Sequence, residues 1–145
     1  MIPNSHRDLL ERPVVVSLAT AMRDGVMQVQ PVWCSYDGEH VLINTLVGRQ
    51  KFLNLSRRSV ATLLAVDPDD ANRWLEVRGR VAGWSTDGAG RHVDVLAQAY
   101  MGVERYEEAP GELAADRVVV RIAPERVVTM GAGRRTRLAP PASTH

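Results

Sequence analysis

Apolar residues alternate with polar ones along some stretches of the chain and recur every three or four positions along others. The switches between these periods divide it into strands and helices. Ser5-His6-Arg7-Asp8 has the Ser-x-x-Asp form of a helix start and predicts a short helix of about two turns, ending before Pro13. Residues 14–22 are dense in β-branched side chains and predict a strand. Arg23-Asp24-Gly25 supplies a hairpin turn. Residues 26–36 alternate as one strand, with Val26, Gln28 and Gln30 on one face and Met27, Val29 and Pro31 on the other. Asp37-Gly38 is a second turn, and residues 40–46 form a third strand. Three strands joined by two tight turns predict an antiparallel meander.

The period changes over residues 48–58, where Phe52 and Leu55 fall on one helical side. Residues 60–66 predict a strand and Asp67-Pro68-Asp69-Asp70 a turn. Residues 74–84 alternate again, with Trp74, Glu76, Arg78 and Arg80 opposite Leu75, Val77 and Gly79. A glycine inside a strand marks a bulge or a sharp bend. Asp87 opens a helix reaching Met101, with Val93, Leu96, Ala97 and Tyr100 on one face and Gly102 placed to end it. A loop over 102–116 leads to two closing strands, 118–122 and 126–130, separated by Pro124. Residues 131–145, poor in apolar side chains, predict a disordered tail. The expectation is a mainly β fold: one domain over 1–130, a six-stranded antiparallel barrel with short flanking helices. Closing a barrel removes the edges so many strands would otherwise expose.

Composition narrows the function. A length of 145 residues suits one domain, and a net charge of +1 gives no global basic field. Aromatics at 5% are too few for a base-stacking platform, so no nucleic-acid partner is expected. Cys34 is the only cysteine, which rules out an intrachain disulfide or a cysteine zinc cluster and fits a reducing compartment. His6, His40, His92 and His145 show no metal-ligand spacing, so no metal is expected. The apolar stretch at 13–22 is too short to span a bilayer, and its upstream flank (Arg7, Asp8, Glu11, Arg12) is mixed in sign rather than positive. It reads as a buried strand, and the protein as cytoplasmic and free of the membrane. No Ser-His-Asp or paired-carboxylate pattern emerges, so no protein nucleophile or base is assigned.

The informative stretch runs from Asn44-Thr45 through Gly48 into Arg49-Gln50-Lys51, a strand end followed by a helix start. Lys51 is the only lysine among 18 basic residues. Cations at a helix start oppose the macrodipole by roughly 0.3–1 kcal/mol each. Free backbone N–H groups also point outward there, so the pair either forms an anion site, most naturally for a phosphate, or is simply solvated. Thr45 can add a hydroxyl donor.

The ordered set Ser17-Leu18-Ala19-Thr20, Asp24-Gly25, Gln30-Pro31-Val32-Trp33-Cys34-Ser35-Tyr36-Asp37-Gly38, Asn44-Thr45, Gly48-Arg49-Gln50-Lys51-x-x-Asn54-Leu55, Arg73-Trp74-Leu75-Glu76-Val77-Arg78-Gly79 and Pro124-Glu125-Arg126-Val127-Val128-Thr129 resembles the pyridoxamine 5′-phosphate oxidase-like split-barrel superfamily. Within it, the set is similar to the branch of small deazaflavin (F420)-dependent proteins of actinobacteria. The resemblance implies a split barrel and a homodimer with cofactors at its interface. It implies an oxidoreductase that transfers hydride between its cofactor and a small conjugated organic substrate; the cofactor would be coenzyme F420, with FMN as the alternative, and a non-catalytic flavin- or deazaflavin-binding protein of the same fold is the other reading. It implies that Thr45, Arg49, Gln50 and Lys51 hold the cofactor phosphate and that Pro31, Val32 and Trp33 line the ring. Asn44 would lie on the adjacent strand end, with Trp74 and Arg78 reaching the other subunit's cofactor. True vitamin B6 oxidases carry a C-terminal Trp-containing strand and paired basic positions. Here Gln50 separates Arg49 from Lys51, which argues against pyridoxamine phosphate oxidation.

Overall fold

The computed structural model of the chain describes residues 1–132. In chain order it contains α1 (Asp8–Glu11), β1 (Val16–Ala21), β2 (Met27–Val32), β3 (Cys34–Tyr36), β4 (Val41–Leu46), α2 (Gln50–Arg57), β5 (Val60–Asp67), β6 (Asp70–Ser85), α3 (Ala89–Met101), a 3-10 turn (Ala114–Asp116) and β7 (Arg117–Met130). The seven strands form one antiparallel sheet in the order β2-β1-β5-β6-β7-β4-β3. Its two end strands, β2 and β3, are joined in sequence by Trp33 alone. One residue spans only about 3.5 Å, so the sheet must curl until its two edges meet. The fold is a mainly β split barrel, with Trp33 at the split.

The fold class is as expected, with corrections in detail. There are seven strands rather than six. The alternating run at 26–36 breaks at Trp33, and its halves serve opposite edges: β2 pairs with β1, and β3 with β4. The expected meander is therefore interrupted in the middle of its second strand. The two closing stretches merge into one strand, β7. Its register against β6 jumps from Arg78↔Arg126 to Gly79↔Pro124, leaving Glu125 as the extra residue. A bulge suits Pro124, which has no N–H to donate. Gly79 faces it closely: a Cβ there would lie 2.6 Å from the Ala123 carbonyl oxygen. The first helix has one turn instead of two, with no side-chain cap. Ser5 Oγ bonds His6 Nδ1, and Asp8 is taken by Arg73. The tail expected over 131–145 lies, from residue 133, outside the described residues.

The barrel interior follows from strand alternation. Val16 and Leu18 of β1, Leu63 of β5, Leu75 and Val77 of β6, and Val118, Val120 and Ile122 of β7 point inward and are buried. Leu9 and Leu10 of α1 close one end. Helix α2 docks through Phe52, Leu55 and the fully buried Asn54, whose amide donates to Thr20 Oγ at 3.0 Å and accepts from Gln50 at 2.7 Å.

Candidate functional site

On β4, Val41, Ile43 and Thr45 point into the barrel, so Leu42, Asn44 and Leu46 point outward. Helix α3 lies over that outer face. Between them opens a cavity of about 440 Å³, within the range of small-molecule sites. Its walls include Pro31, Val32 and Trp33 at the barrel split, Asn44 on β4, Lys51 in the first turn of α2, Val93 and Leu96 of α3, Tyr106, and Arg117 at the start of β7.

The aromatic wall is rigid. Trp33 stacks on Tyr100 with centroids 5.2 Å apart and meets Tyr106 edge-on at 6.2 Å. The Tyr100 hydroxyl donates to the Val14 carbonyl at 2.7 Å and accepts the Cys34 N–H at 3.2 Å. Burial pushes the Cys34 thiol up to about 12, so it is a packing residue and not a nucleophile.

A polar chain runs behind the cavity. Asn44 Nδ2 donates to the Ala89 carbonyl at 2.9 Å, and its Oδ1 accepts from Arg117 at 3.1 Å. A carbonyl only accepts and a guanidinium only donates, so these two partners fix the amide orientation. Nδ2 then donates to His92 Nδ1 at 3.2 Å, which leaves the His92 proton on Nε2, facing Ser35 Oγ at 2.9 Å. Ser35, His92 and Asn44 thus have the spacing of a nucleophilic triad but the opposite polarity. In a working triad the third residue accepts from the imidazole and the imidazole accepts from the serine. Here the imidazole donates, so Ser35 is not activated. Burial holds the His92 pKa below its ordinary value, consistent with a neutral ring.

The charges sit at the other end. Arg117 is buried, donates to both Glu108 carboxylate oxygens at 2.8 Å and lies over the Tyr106 ring at 4.5 Å. Glu112 bridges Arg117 at 3.2 Å and Arg49 at 2.6 Å. Lys51 has no carboxylate partner among the described residues. Burial, with the nearby positive charge of Arg49, lowers its pKa. A half-buried ammonium facing a cavity without a counter-ion is a site for an anion. The first turn of α2 contains no acidic residue to compete.

Of the ten residues read from sequence, the cavity gathers Pro31, Val32, Trp33, Asn44 and Lys51. Arg49 is outside the cavity lining, paired with Glu112. Gln50 turns to Asn54, and Thr45 alternates into the buried interior. Trp74 and Arg78 lie on the outward face of β6, where Trp74 is opposite Met130 and Arg78 is paired with Glu76 at 2.9 Å.

A family model for pyridoxamine 5′-phosphate oxidase matches residues 2–131. The chain belongs to this family. Among solved structures it is similar to an F420 reductase, at 32% identity and TM-score 0.77, over 88% of this chain and 98% of that one. It is also similar to the conserved hypothetical protein Rv2991 of Mycobacterium tuberculosis, at 22% identity and TM-score 0.67, over 86% and 81%. HupZ of Group A Streptococcus matches at 19% identity and TM-score 0.62, over 93% and 100%. At these identities the latter two speak for the fold alone. Among curated proteins none matches. Family membership makes the cavity, at the split of the barrel, the natural place to look for a redox cofactor. Among the described residues no helix is long and apolar enough to cross a membrane.

Tyr106 and Arg117 were not singled out from the sequence. Tyr106 sits in a stretch without periodicity, and Arg117 begins a strand whose burial comes from the acidic loop folding over it. The one available signal was Glu107-Glu108 and Glu112 beside Arg117, which reads equally well as solvated charge.

Proposed function

We propose that the protein is a cytoplasmic oxidoreductase that binds the deazaflavin coenzyme F420 in this cavity and transfers hydride between it and a small conjugated organic molecule. The observation that carries the reading is Lys51, an ammonium with no carboxylate partner among the described residues, facing a cavity that apolar and aromatic side chains line together with Asn44 and Arg117. That is the donor set for a planar ring with an anionic tail. The 32% identity to an F420 reductase over nearly all of that protein supports the choice of cofactor. Membership of the pyridoxamine 5′-phosphate oxidase family keeps FMN as the second reading.

In this reading Lys51 holds the phosphate, joined by Arg49 and the free N–H groups of Gln50 and Lys51 at the start of α2. Pro31, Val32 and Trp33 flank the ring. Asn44 has spent both N–H donors on Ala89 and His92, so it offers the ring only an acceptor lone pair. Val93 and Leu96 exclude water from the opposite side. A bound deazaflavin would carry the hydride, so no side chain has to act as nucleophile.

The second subunit of the proposed homodimer would cover the outward face of β2, β1, β5 and β6. There Val66 and Met130, both exposed, flank Trp74, and Leu64 is exposed two residues away along β5; exposed apolar side chains grouped in this way suit an interface. Trp74 and Arg78 would then approach the partner's cofactor.

Titrating the purified protein with F420 and with FMN, read by fluorescence polarisation, tests the assignment. Tight F420 binding is expected, together with loss of about 2–4 kcal/mol of binding free energy when Arg49 and Lys51 are both changed to Ala, since charge-assisted hydrogen bonds are worth roughly 1.5–3 each and do not add fully. Binding of FMN alone would replace the cofactor assignment. Unchanged affinity in a folded double variant would move the phosphate elsewhere.

A further inference from the structure

The two carboxylates at the anion end do more than neutralise arginines. Lys51 and Arg117 line the cavity, and an ion-pair cluster extends from them: Glu108 and Glu112 on Arg117, and Arg49 on Glu112 and beside Lys51, three positive charges against two negative ones. One net positive charge remains, located at Lys51. Glu112 is the carboxylate that sets this count at the phosphate position, because it alone bridges Arg49 and Arg117. It is also held in place. Its Oε2 accepts the Ala109 N–H at 3.3 Å, its own N–H reaches the Ala109 carbonyl at 2.9 Å, and its side chain is only 11% exposed. The loop that carries it is pinned further along, by Tyr106 N–H on Asp94 and by Gln98 on the Glu104 carbonyl.

We propose that Glu112 is a specificity-determining residue which matches the cavity to a singly charged phosphodiester and against a doubly charged phosphomonoester. The inference rests on the cofactor reading above and deepens it. The two candidate cofactors differ in this respect: the phosphate of F420 is a diester with one negative charge, whereas that of FMN is a monoester carrying about −1.5 to −2 near neutral pH. With Glu112 in place, a monoanion brings the cluster to neutrality. A dianion leaves it one negative charge in excess, beside a carboxylate that loop contacts keep from withdrawing. Inside a half-buried cavity such a mismatch is screened far less than in water.

The experiment compares F420 and FMN affinities, by fluorescence polarisation, in wild type, Glu112→Gln and the double variant Arg49→Gln/Glu112→Gln, with thermal melts confirming that each is folded. Glu112→Gln raises the local charge by one and is expected to shift the F420-to-FMN affinity ratio towards FMN by about fivefold to tenfold. The double variant returns the count to one. It should bind both cofactors more weakly yet recover the wild-type ratio, which loss of a structural contact would not produce. If Glu112→Gln does not fold, Glu112→Ala removes the same charge and is read the same way. An unchanged ratio in a folded charge-removing variant, or a double variant that keeps the shifted ratio, overturns the charge-matching role while leaving F420 binding intact. Absence of binding by either cofactor in wild type overturns the cofactor reading, and this inference with it.

Discussion

Asn44 is the residue on which the polar chain behind the cavity turns. Its amide accepts from Arg117 and donates to Ala89 and His92, so replacing it removes one partner from a buried guanidinium and the partner of an imidazole nitrogen, and a second donor from the Ala89 carbonyl in the first turn of α3. Asn44→Ala is expected to cost about 2–3 kcal/mol, because unsatisfied buried groups carry roughly 1–3 each and neighbouring losses do not add. Urea denaturation measures it, and a loss under 0.5 kcal/mol would show that the chain is not cooperative. The same geometry places the His92 proton on Nε2, which nitrogen chemical shifts of the imidazole report directly; a proton on Nδ1 would restore the triad polarity and reopen Ser35 as a nucleophile. Lys51 was legible from a local signal, a lone lysine at a helix start, whereas Trp33 and Asn44 were legible only through the family resemblance of the segments that carry them. Arg117 was not. An arginine opening a strand is ordinarily solvated, and only the return of a loop nine residues upstream in sequence brings Glu108 onto it.

Elements were read well where one period ran undisturbed and poorly where a strand changed partners. Helix α3 emerged as expected because Val93, Leu96 and Ala97 are buried at helical spacing and Gly102, at φ +69°, ends it. The break at Trp33 was invisible because alternation continues across it: Val32 and Cys34 are buried on either side while their strands pair at opposite edges of the sheet. Alternation reports which face a residue uses and carries no information about its neighbouring strand. Gly79 is the counter-example, since its position within a strand announced the bulge. Its replacement tests that reading. In Gly79→Ala the new methyl would press on the Ala123 carbonyl oxygen and on Ile122 Cγ2, at 2.6 and 2.8 Å. One of these is backbone in a paired strand and cannot rotate away. A loss of about 1–3 kcal/mol or more is expected, the usual range for overpacking, measured as a fall in denaturation midpoint with unchanged slope. A neutral substitution would mean that the β6–β7 crossing can slide.

At the scale of the whole molecule, the two ends of the described chain are fastened by charge. Arg73, 3% exposed, donates to Asp8 in α1, to Asp67 at 2.8 Å at the β5–β6 turn, and to the carbonyls of Ser5 and Ala132 at 2.7 and 2.9 Å. His6 Nε2 reaches the Met130 carbonyl at 2.9 Å alongside. Arg73→Met would leave Asp8 and Asp67 with Arg12 as their remaining cation, at 3.2 and 3.5 Å, and should cost about 3 kcal/mol, the lower end of the range for breaking a buried pair from one side. The acid response follows from the same groups. Burial alone would raise the Asp8 pKa, but the hydrogen bond and charge of Arg73 outweigh it, and the net shift is downward. Asp67 is lowered first by the Asp69 N–H and then by Arg73, against burial. Carboxyls depressed in the fold contribute stability that is present above their ordinary pKa of 3.8 and disappears as pH falls through the lower folded values. His92 is also depressed, by burial. Its contribution is complete above the ordinary imidazole value of 6.5 and is lost as pH drops below it, because the unfolded ring takes up its proton first. Stability measured by urea denaturation should therefore decline in two separate windows on acidification, the first beginning near pH 6.5 and the second below about pH 4. His92→Gln should flatten the first window and leave the second. Arg73→Met should shrink the second without abolishing it, since Arg12 and the Asp69 N–H still lower its aspartates. A stability maximum near pH 5 in the wild-type protein would contradict the His92 assignment, because at that pH the unfolded chain already holds a proton on this ring that the fold does not.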